Sequence, residues 1–480
     1  MKKKIIIIVS IVVGMLLLVG GVFTYFYFRP PTEEEMSRYE ETVSEGNLFF
    51  EGKEYSEAVK KYNDAIKIVH VDFEAYSKII DIYIIKNDLD TALEISQKAQ
   101  NSLTSTDSSF LYAKIADAYF NNEDFYNARI NYEIAASLNG NPTTNLGLAK
   151  SYVYNNKFDL AENLLKKEYD DQTVDDAKLL YSYILSTEDV EKAKEFVDEY
   201  IPVDENNTIY FEEFSSVLDS LDEDELFNLT KLSRIVINNN YPSLAIKLLE
   251  PKTEEISQYV DALYYLGKAY LETKQYDKAV ETLLKSTSLI GYESDKYWML
   301  GRAYYYQDDM VNAVTYYDMA VGYAGEDITR ELVEEYLNIL LNSNQITKAQ
   351  EVYSSLVKTT KTEWLYLIGL ELYYSENDAK FEYYLDQLSD MDMSDNEKAE
   401  YLFWKIRKEI DDSNTDNIEQ DFESLLELDR FNPNYYWMKG VYLLSIFDSE
   451  SAKDNFEIAM EYDTQGDVTQ NVEDLLAQLE

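Results

Sequence analysis

A chain of 480 residues with a formal net charge of −48 and no cysteine exceeds one ordinary globular core and lacks disulfides, thiolate metal sites and thiol nucleophiles. The single histidine, His70, removes nearly all imidazole base and zinc-ligand chemistry, and 15 Gly and 7 Pro against 44 Tyr suit helices packed through aromatic rings better than turn-rich sheet. The four cations of residues 1–31 leave −52 on the remainder, a field that repels nucleic acid, solvates exposed helix faces and favours a basic partner or cations.

Residues 1–4 form a Lys-rich tip, and the run from Ile5 to Phe28 carries no charge. As a helix, that run rises about 36 Å, enough to span a bilayer core. Tyr25, Phe26, Tyr27 and Phe28 followed by Arg29 read as an interfacial belt, and Pro30 and Pro31 then stop the helix. Lysines before the span and Glu33, Glu34 and Glu35 after it put the amino terminus in the cytoplasm and the large domain outside the cell membrane. A cleaved signal peptide ending at Val19-Gly20-Gly21 is the competing reading; the run is longer than a signal core and continues past that site. Residues 29–38 are a linker. The abundance of Ile, Lys, Asn and Tyr is of the kind an AT-rich bacterial genome encodes.

From residue 39 the chain repeats itself. Small residues stand at Ala58, Ala92, Ala128, Ala161 and Ala193, then at Ala245, Ala279, Ala313 and Ala349, at steps of 34, 36, 33 and 32, then 52, then 34, 34 and 36 residues. Twelve residues earlier comes another small residue (Gly46, Ala116, Ala149, Gly267, Gly301). Nine earlier comes an aromatic (Phe49, Tyr83, Tyr119, Tyr152, Tyr270, Tyr304). A period near 34 with small residues in fixed phase predicts pairs of antiparallel helices crossing closely, with bulky side chains filling the gaps. Enlarging Ala279 or Gly301 is then expected to overpack the crossing. Polar turns such as Lys86-Asn87-Asp88 and Gln307-Asp308-Asp309 separate the helices.

The pattern resembles the tetratricopeptide repeat family, most closely at Leu266-Gly267 with Tyr270, Ala279 and Leu283, and at Leu300-Gly301 with Tyr304, Ala313, Tyr317 and Ala320. The resemblance implies an all-α, right-handed α-solenoid of about twelve helix pairs. An amino-terminal array would cover 39–203, an irregular acidic connection 204–225, and a carboxy-terminal array 226–466. The register blurs after Ala349 and returns with Trp437, Gly440, Ala452, Phe456 and Ala459, and residues 467–480 read as a capping helix.

In such a solenoid the first helix of each pair lines the concave surface, and its free positions are mostly acidic or small. Around residues 260–375 they are instead Tyr264, Lys268, Trp298, Arg302, Tyr305, Asn338, Tyr366 and Tyr373, a surface suited to a protein or peptide, or to sugar rings stacked on aromatic faces. Tyrosine is common enough here that half-buried packing between pairs explains such a stripe equally. Some family members grip a carboxyl-terminal peptide with Lys, Asn and Arg; the likeness of Lys268, Arg302 and Asn338 is faint and that activity is not carried over.

Asp412, Asn414, Asp416, Asn417 and Glu423 have an EF-hand-like spacing, but Asn417 replaces the required Gly, so a polar loop without metal is the reading preferred. The sequence contains no phosphate loop, nucleophile elbow or metal-binding His pair. The expectation is therefore a non-enzymatic, cofactor-free interaction scaffold on the outer face of the cell membrane. A cell-wall polymer binder and a cytosol-facing adaptor are the alternatives.

Overall fold

The computed structural model describes residues 31–70, 72–166, 175–374, 378–413 and 417–463, with scattered positions between 466 and 476. No helix among them is long and apolar enough to cross a membrane. The apolar run 5–28 lies outside the described residues.

All regular structure among the described residues is helical, in two compact units that divide between Gly140 and Asn141. The first unit holds three pairs: α1 (Glu33–Glu51) with α2 (Tyr55–Ile68), α3 (Phe73–Ile85) with α4 (Leu89–Ala99), and α5 (Ser105–Asn121) with α6 (Phe125–Asn139). The second begins with α7 (Pro142–Tyr154) and α8 (Phe158–Leu165), then α9 (Asp175–Ser186) and α10 (Val190–Glu199), and a lone α11 (Thr208–Asp219). Seven pairs follow: α12 (Glu225–Asn238) and α13 (Pro242–Leu249), α14 (Val260–Glu272) and α15 (Tyr276–Ser286), α16 (Glu293–Tyr306) and α17 (Met310–Ala324), α18 (Arg330–Asn342) and α19 (Ile346–Thr359). The last three are α20 (Glu363–Tyr373) and α21 (Asp378–Ser389), α22 (Asp395–Asp411) and α23 (Ile418–Leu428), and α24 (Pro433–Ser445) and α25 (Ser449–Tyr462). First helices of successive pairs pack on one another: α14 on α16, α18 on α20, α20 on α22 and α22 on α24.

One short turn recurs within the pairs. Its middle residue is left-handed (Lys53, Asn87, Glu123, Asn156, Asn240, Lys274, Asp308, Asn344 and Phe447, with φ between 54° and 64°). The next amide reaches back to the fifth preceding carbonyl: Asp88 to Tyr83 at 2.8 Å, Gln275 to Tyr270 at 2.8 Å, Asp309 to Tyr304 at 3.0 Å. This is the Schellman closure of a helix end. The same residue then caps the second helix, since the side chains of Asp88, Asp124, Asp309 and Asp448 accept the amides of Thr91, Asn127, Asn312 and Ser451. Three residues thus stop one helix and start the next.

The crossing within a pair follows one rule. The second-helix alanines Ala58, Ala92, Ala128, Ala161, Ala193, Ala245, Ala279, Ala313, Ala349 and Ala452 are all fully buried. In four pairs the bulky residue that seats on the small residue of the first helix comes sixteen positions later: Tyr62 on Gly46, Leu283 on Gly267, Tyr317 on Gly301, Phe456 on Gly440; Gly369 of α20 instead meets Tyr353 and Tyr384. A Cβ on Gly301 would stand 2.5 Å from Tyr317 Cδ2, and one on Gly267 2.5 Å from Leu283.

Two features depart from the sequence reading. The stretch 204–225 is not an irregular connection: α11 buries Phe211, Phe214, Val217 and Leu218 in one core with Leu180, Ile184 and Val236, while Glu212 and Glu213 face solvent. Its apolar spacing is helical, but α11 stands alone and lacks the paired small residues by which the other helices were recognised. Asp175 secures its approach. That buried carboxylate accepts Tyr200 Oη at 2.6 Å, Val203 N at 3.0 Å, Asp204 N at 2.9 Å and Asn207 Nδ2 at 3.1 Å. Burial opposes its charge, yet these donors hold its carboxyl below the usual range. The second departure is the division of the chain, which falls at Gly140 rather than in 204–225. At the end of the last pair, Val468 and Val472 pack on Ala452, Phe456 and Ala459; much of 467–480 lies outside the described residues.

The tyrosines are satisfied largely by acids. Tyr39 donates to Asp72, Tyr132 to Asp117, Tyr336 to Asp318, and Tyr270 to Glu250 at 2.8 Å. Burial first, then the neighbouring carboxylates, raises their phenol pKa values; Tyr62 and Tyr435 are pushed up to about 12, and Tyr132 and Tyr336 well above.

Gly301→Ala is expected to destabilise the chain by about 1–3 kcal/mol through overpacking. Gly322→Ala, where nothing lies within 4 Å, should be neutral or stabilising by up to about 1 kcal/mol; equal denaturant midpoints for the two variants would contradict the crossing rule. A second expectation concerns pH. Tyrosines with raised folded pKa values keep their full contribution below the unfolded value of about 10 and lose it as pH rises through the folded values, because the unfolded chain releases those protons first. The denaturant midpoint should be flat between about pH 7 and 9 and fall above about pH 10, with tyrosinate absorbance rising at the unfolding step.

Candidate functional site

The eight residues singled out on the first helices separate into three environments. Tyr264 on α14 is buried, with its ring stacked 4.1 Å from that of Tyr292. Tyr366 and Tyr373 on α20 are core residues, 4% and 1% exposed, packed against Tyr353 and Tyr384. These three do not offer a binding surface. The reason in α20 is that Leu365 to Leu370 are all buried, leaving Glu371 as its exposed side chain between residues 365 and 373; a helix apolar on all sides is enclosed on all sides. Lys268 on α14 lies 3.8 Å from Glu272; burial raises the pKa of that carboxyl, and the charges of Lys268 and Arg302 oppose the rise.

Trp298, Arg302 and Tyr305 on α16 and Asn338 on α18 do come together, and the residue that joins them is Glu335. Its Oε2 accepts Trp298 Nε1 at 2.8 Å and Tyr317 Oη at 2.8 Å, and Arg302 Nε stands 3.6 Å from the same atom. The guanidinium carbon of Arg302 lies 5.8 Å from the Trp298 ring. Around this carboxylate is an open cleft of about 180 Å³, whose rim carries Tyr305, Tyr306, Asn338 and Asn342. Asn338 and Asn342 are exposed and one helical turn apart. Tyr306 is half exposed and stacks 4.9 Å from Tyr276.

The electrostatics follow from that geometry. Arg302 and two neutral donors converge on one carboxylate, so the floor of the cleft carries no net charge. Burial, then the charge of Glu335, holds the Tyr317 phenol protonated far above its ordinary value. Because Tyr317 also seats on Gly301, the helix crossing positions the donor. The rim presents carboxamides, each a paired donor and acceptor, and aromatic hydroxyls; these can hydrogen-bond and stack but hold no reactive group.

Sequence reasoning missed Glu335, Tyr317 and Tyr306. Glu335 is 37 residues from Trp298, about one repeat, so its role shows only when neighbouring repeats are laid side by side. The EF-hand-like loop places Lys408 Nζ 2.8 Å from Asp412 and Glu423 on helix α23, with Asn414 and Asp416 outside the described residues. Among the described residues no group of acids or histidines is arranged to hold a metal ion.

Helix pairs of one turn type, one crossing rule and stacked first helices define a helix-turn-helix repeat protein. The repeat itself is recognised at residues 261–286, α14 and α15, which match the family described as Tetratricopeptide repeat. That segment is a tetratricopeptide repeat, and the same left-handed turn and stacked first helices recur in its neighbours. No curated protein matches the chain. Among solved structures it is similar to a chain of the APC/C hetero-tetramer Cut9–Hcn1, at 13% identity over 95% of this chain and 98% of that one with a TM-score of 0.35. It is also similar to yeast Tom70, at 18% identity over 92% and 96% with a TM-score of 0.36. These distant likenesses carry no functional assignment.

Glu335→Ala is expected to cost about 1–3 kcal/mol, because it strands the buried Tyr317 hydroxyl and the Trp298 N–H without an acceptor. Glu335→Gln keeps an acceptor and should lose less than half as much in denaturant unfolding.

Proposed function

We propose that the protein is a non-enzymatic scaffold that binds a polypeptide partner along the first helices of its second unit, with the α16–α18 cleft as the contact point. The observation that carries this reading is the convergence of Trp298, Tyr317 and Arg302 on Glu335. It fixes Arg302, Glu335 and the Tyr317 ring, which line the cleft, in one arrangement before any ligand arrives, which reduces the ordering cost of binding. With the charge of the floor neutralised, recognition falls to Asn338, Asn342, Tyr305 and Tyr306. Carboxamides match the alternating N–H and C=O of a peptide backbone. The exposed face of Tyr306 also suits a sugar ring, which makes cell-wall polymer the second reading.

In the same proposal, residues 5–28 tether the chain to the cell membrane with the amino terminus inside and the helical units outside. The support is compositional: twenty-four uncharged residues with lysines before them and acids after.

Two experiments test these statements. The chain and its Tyr305→Ala/Asn338→Ala/Asn342→Ala variant, checked for unchanged helicity, are compared in affinity capture from solubilised envelope extract and in retention on purified cell wall. A protein held by the parent and lost by the variant supports the scaffold. Loss of wall retention alone transfers the site to polymer binding, and no difference in either removes the cleft. Protease added to intact cells should digest the helical units; complete protection would reverse the proposed topology.

A further inference from the structure

Where α20, α22 and α24 run side by side there is a second cleft, of about 270 Å³, in which the cation is handled differently. Its floor is apolar, made by Ile410, Met438 and Val441, and Asp411 stands in its wall, where its carboxylate takes the hydroxyl of Tyr374. Arg407 lines it and makes no ion pair among the described residues. Its guanidinium carbon is held 4.6 Å from the Tyr374 ring and 5.4 Å from the Trp404 ring. In a chain with 91 acidic side chains against 43 basic ones, a guanidinium held by two rings and the Tyr374 hydroxyl, with no carboxylate in direct contact among the described residues, is conspicuous.

The indole of Trp437 also lines the cleft, with its Nε1 buried. The cleft therefore joins a planar cation that has no ion-pair partner among the described residues to an apolar floor. A carboxylate attached to an apolar stretch of chain complements both.

We propose that this cleft is a second docking point, which takes the carboxylate of an Asp or Glu side chain of a partner polypeptide on Arg407 and an adjoining apolar side chain on Ile410, Met438 and Val441. An internal residue is preferred to a chain end because Asp411 supplies an acceptor that main-chain N–H groups on either side of it can reach, and a terminal residue lacks the following one. The α16–α18 cleft cannot serve this purpose, since Glu335 already occupies its cation and its donors. The proposal does not rest on the reading of that first cleft.

The chain has four tryptophans, so nitrogen-15 labelling of tryptophan gives indole signals that report both clefts in one spectrum, with Trp437→Phe assigning Trp437 and Trp298→Phe assigning Trp298. The probes are the blocked dipeptide acetyl-Leu-Glu-amide, its Gln counterpart, and acetyl-Leu-Leu with a free carboxyl end, each titrated into the full chain. The Glu probe is expected to shift the Trp437 signal, whose ring lines the cleft, with affinity on the order of millimolar, as suits so small a ligand, and to leave Trp298 in place. Arg407→Gln should weaken the response by about tenfold or more. Val441→Phe, which fills the floor and leaves Arg407 intact, should abolish it while the other three indole signals show the fold retained. A Trp437 signal that ignores the Glu probe, or follows the Gln probe equally, overturns the proposal. A response to the free-carboxyl probe alone overturns the assignment to an internal acidic side chain.

Discussion

Two helices can approach closely only where one of them surrenders its side chain, and the close approach of a glycine to a bulky residue, in four pairs the one sixteen positions later, is what the rest of this structure depends on. Tyr62 on Gly46, Leu283 on Gly267 and Tyr317 on Gly301 fix the distance and angle of each pair. With a rigid pair, the first helix of the next can stack on it, and a repeat that could not bury its apolar face alone acquires a continuous core. The consequence reaches the candidate site directly. Tyr317 is both the ring that seats on Gly301 and the hydroxyl that holds Glu335.

Using tyrosine as the seated ring creates a second demand, since each buried phenol brings a hydroxyl that needs an acceptor. In a chain so rich in Asp and Glu the acceptor is usually a carboxylate, as in Tyr39 with Asp72, Tyr132 with Asp117, Tyr270 with Glu250 and Tyr336 with Asp318. A carboxylate at the edge of a pair is solvated on one side and hydrogen-bonded on the other, so it meets the phenol without full burial of its charge. The abundance of Tyr and the abundance of acid are thus two halves of one packing solution, and acidity that reads as surface solvation from composition also has interior work.

What could be read from the sequence follows the same division. The small residues and their period were legible because sterics leave no choice at a crossing: Ala279, Ala313 and Gly301 stand in phase and are buried as that phase requires. The helix ends were harder to place, because the left-handed position of the turn is filled by Lys53, Asn87, Glu123 or Lys274, and only the fixed spacing marks it. Helix α11 went unread because it has no partner to impose a small residue on it. Of the eight residues assigned to a surface, Trp298, Arg302, Tyr305 and Asn338 converge. Tyr264, Tyr366 and Tyr373 do not, because amphipathic side chains report helix phase poorly and an almost wholly apolar helix such as α20 has little outer face to find.

The two clefts show how a chain so strongly acidic can still differentiate its surface. Its cations are outnumbered, so the natural fate of an arginine is to be taken by a neighbouring acid, as Arg302 is by Glu335 and Arg330 by Glu334 and Glu400. Such a pair is locally neutral, and what it offers a ligand is shape and hydrogen bonds. Arg407 escapes that fate because Asp411, one helical turn away, takes the hydroxyl of Tyr374, while the Tyr374 and Trp404 rings flank the guanidinium. An aromatic ring holds a cation without cancelling its charge, and Arg407 stands without a direct carboxylate contact among the described residues. A partner that reads both clefts would need a neutral, hydrogen-bonding segment for one and an acidic residue beside an apolar one for the other. Few sequences supply both, and an acidic partner lacking this pairing is turned away by the −48 charge of the chain.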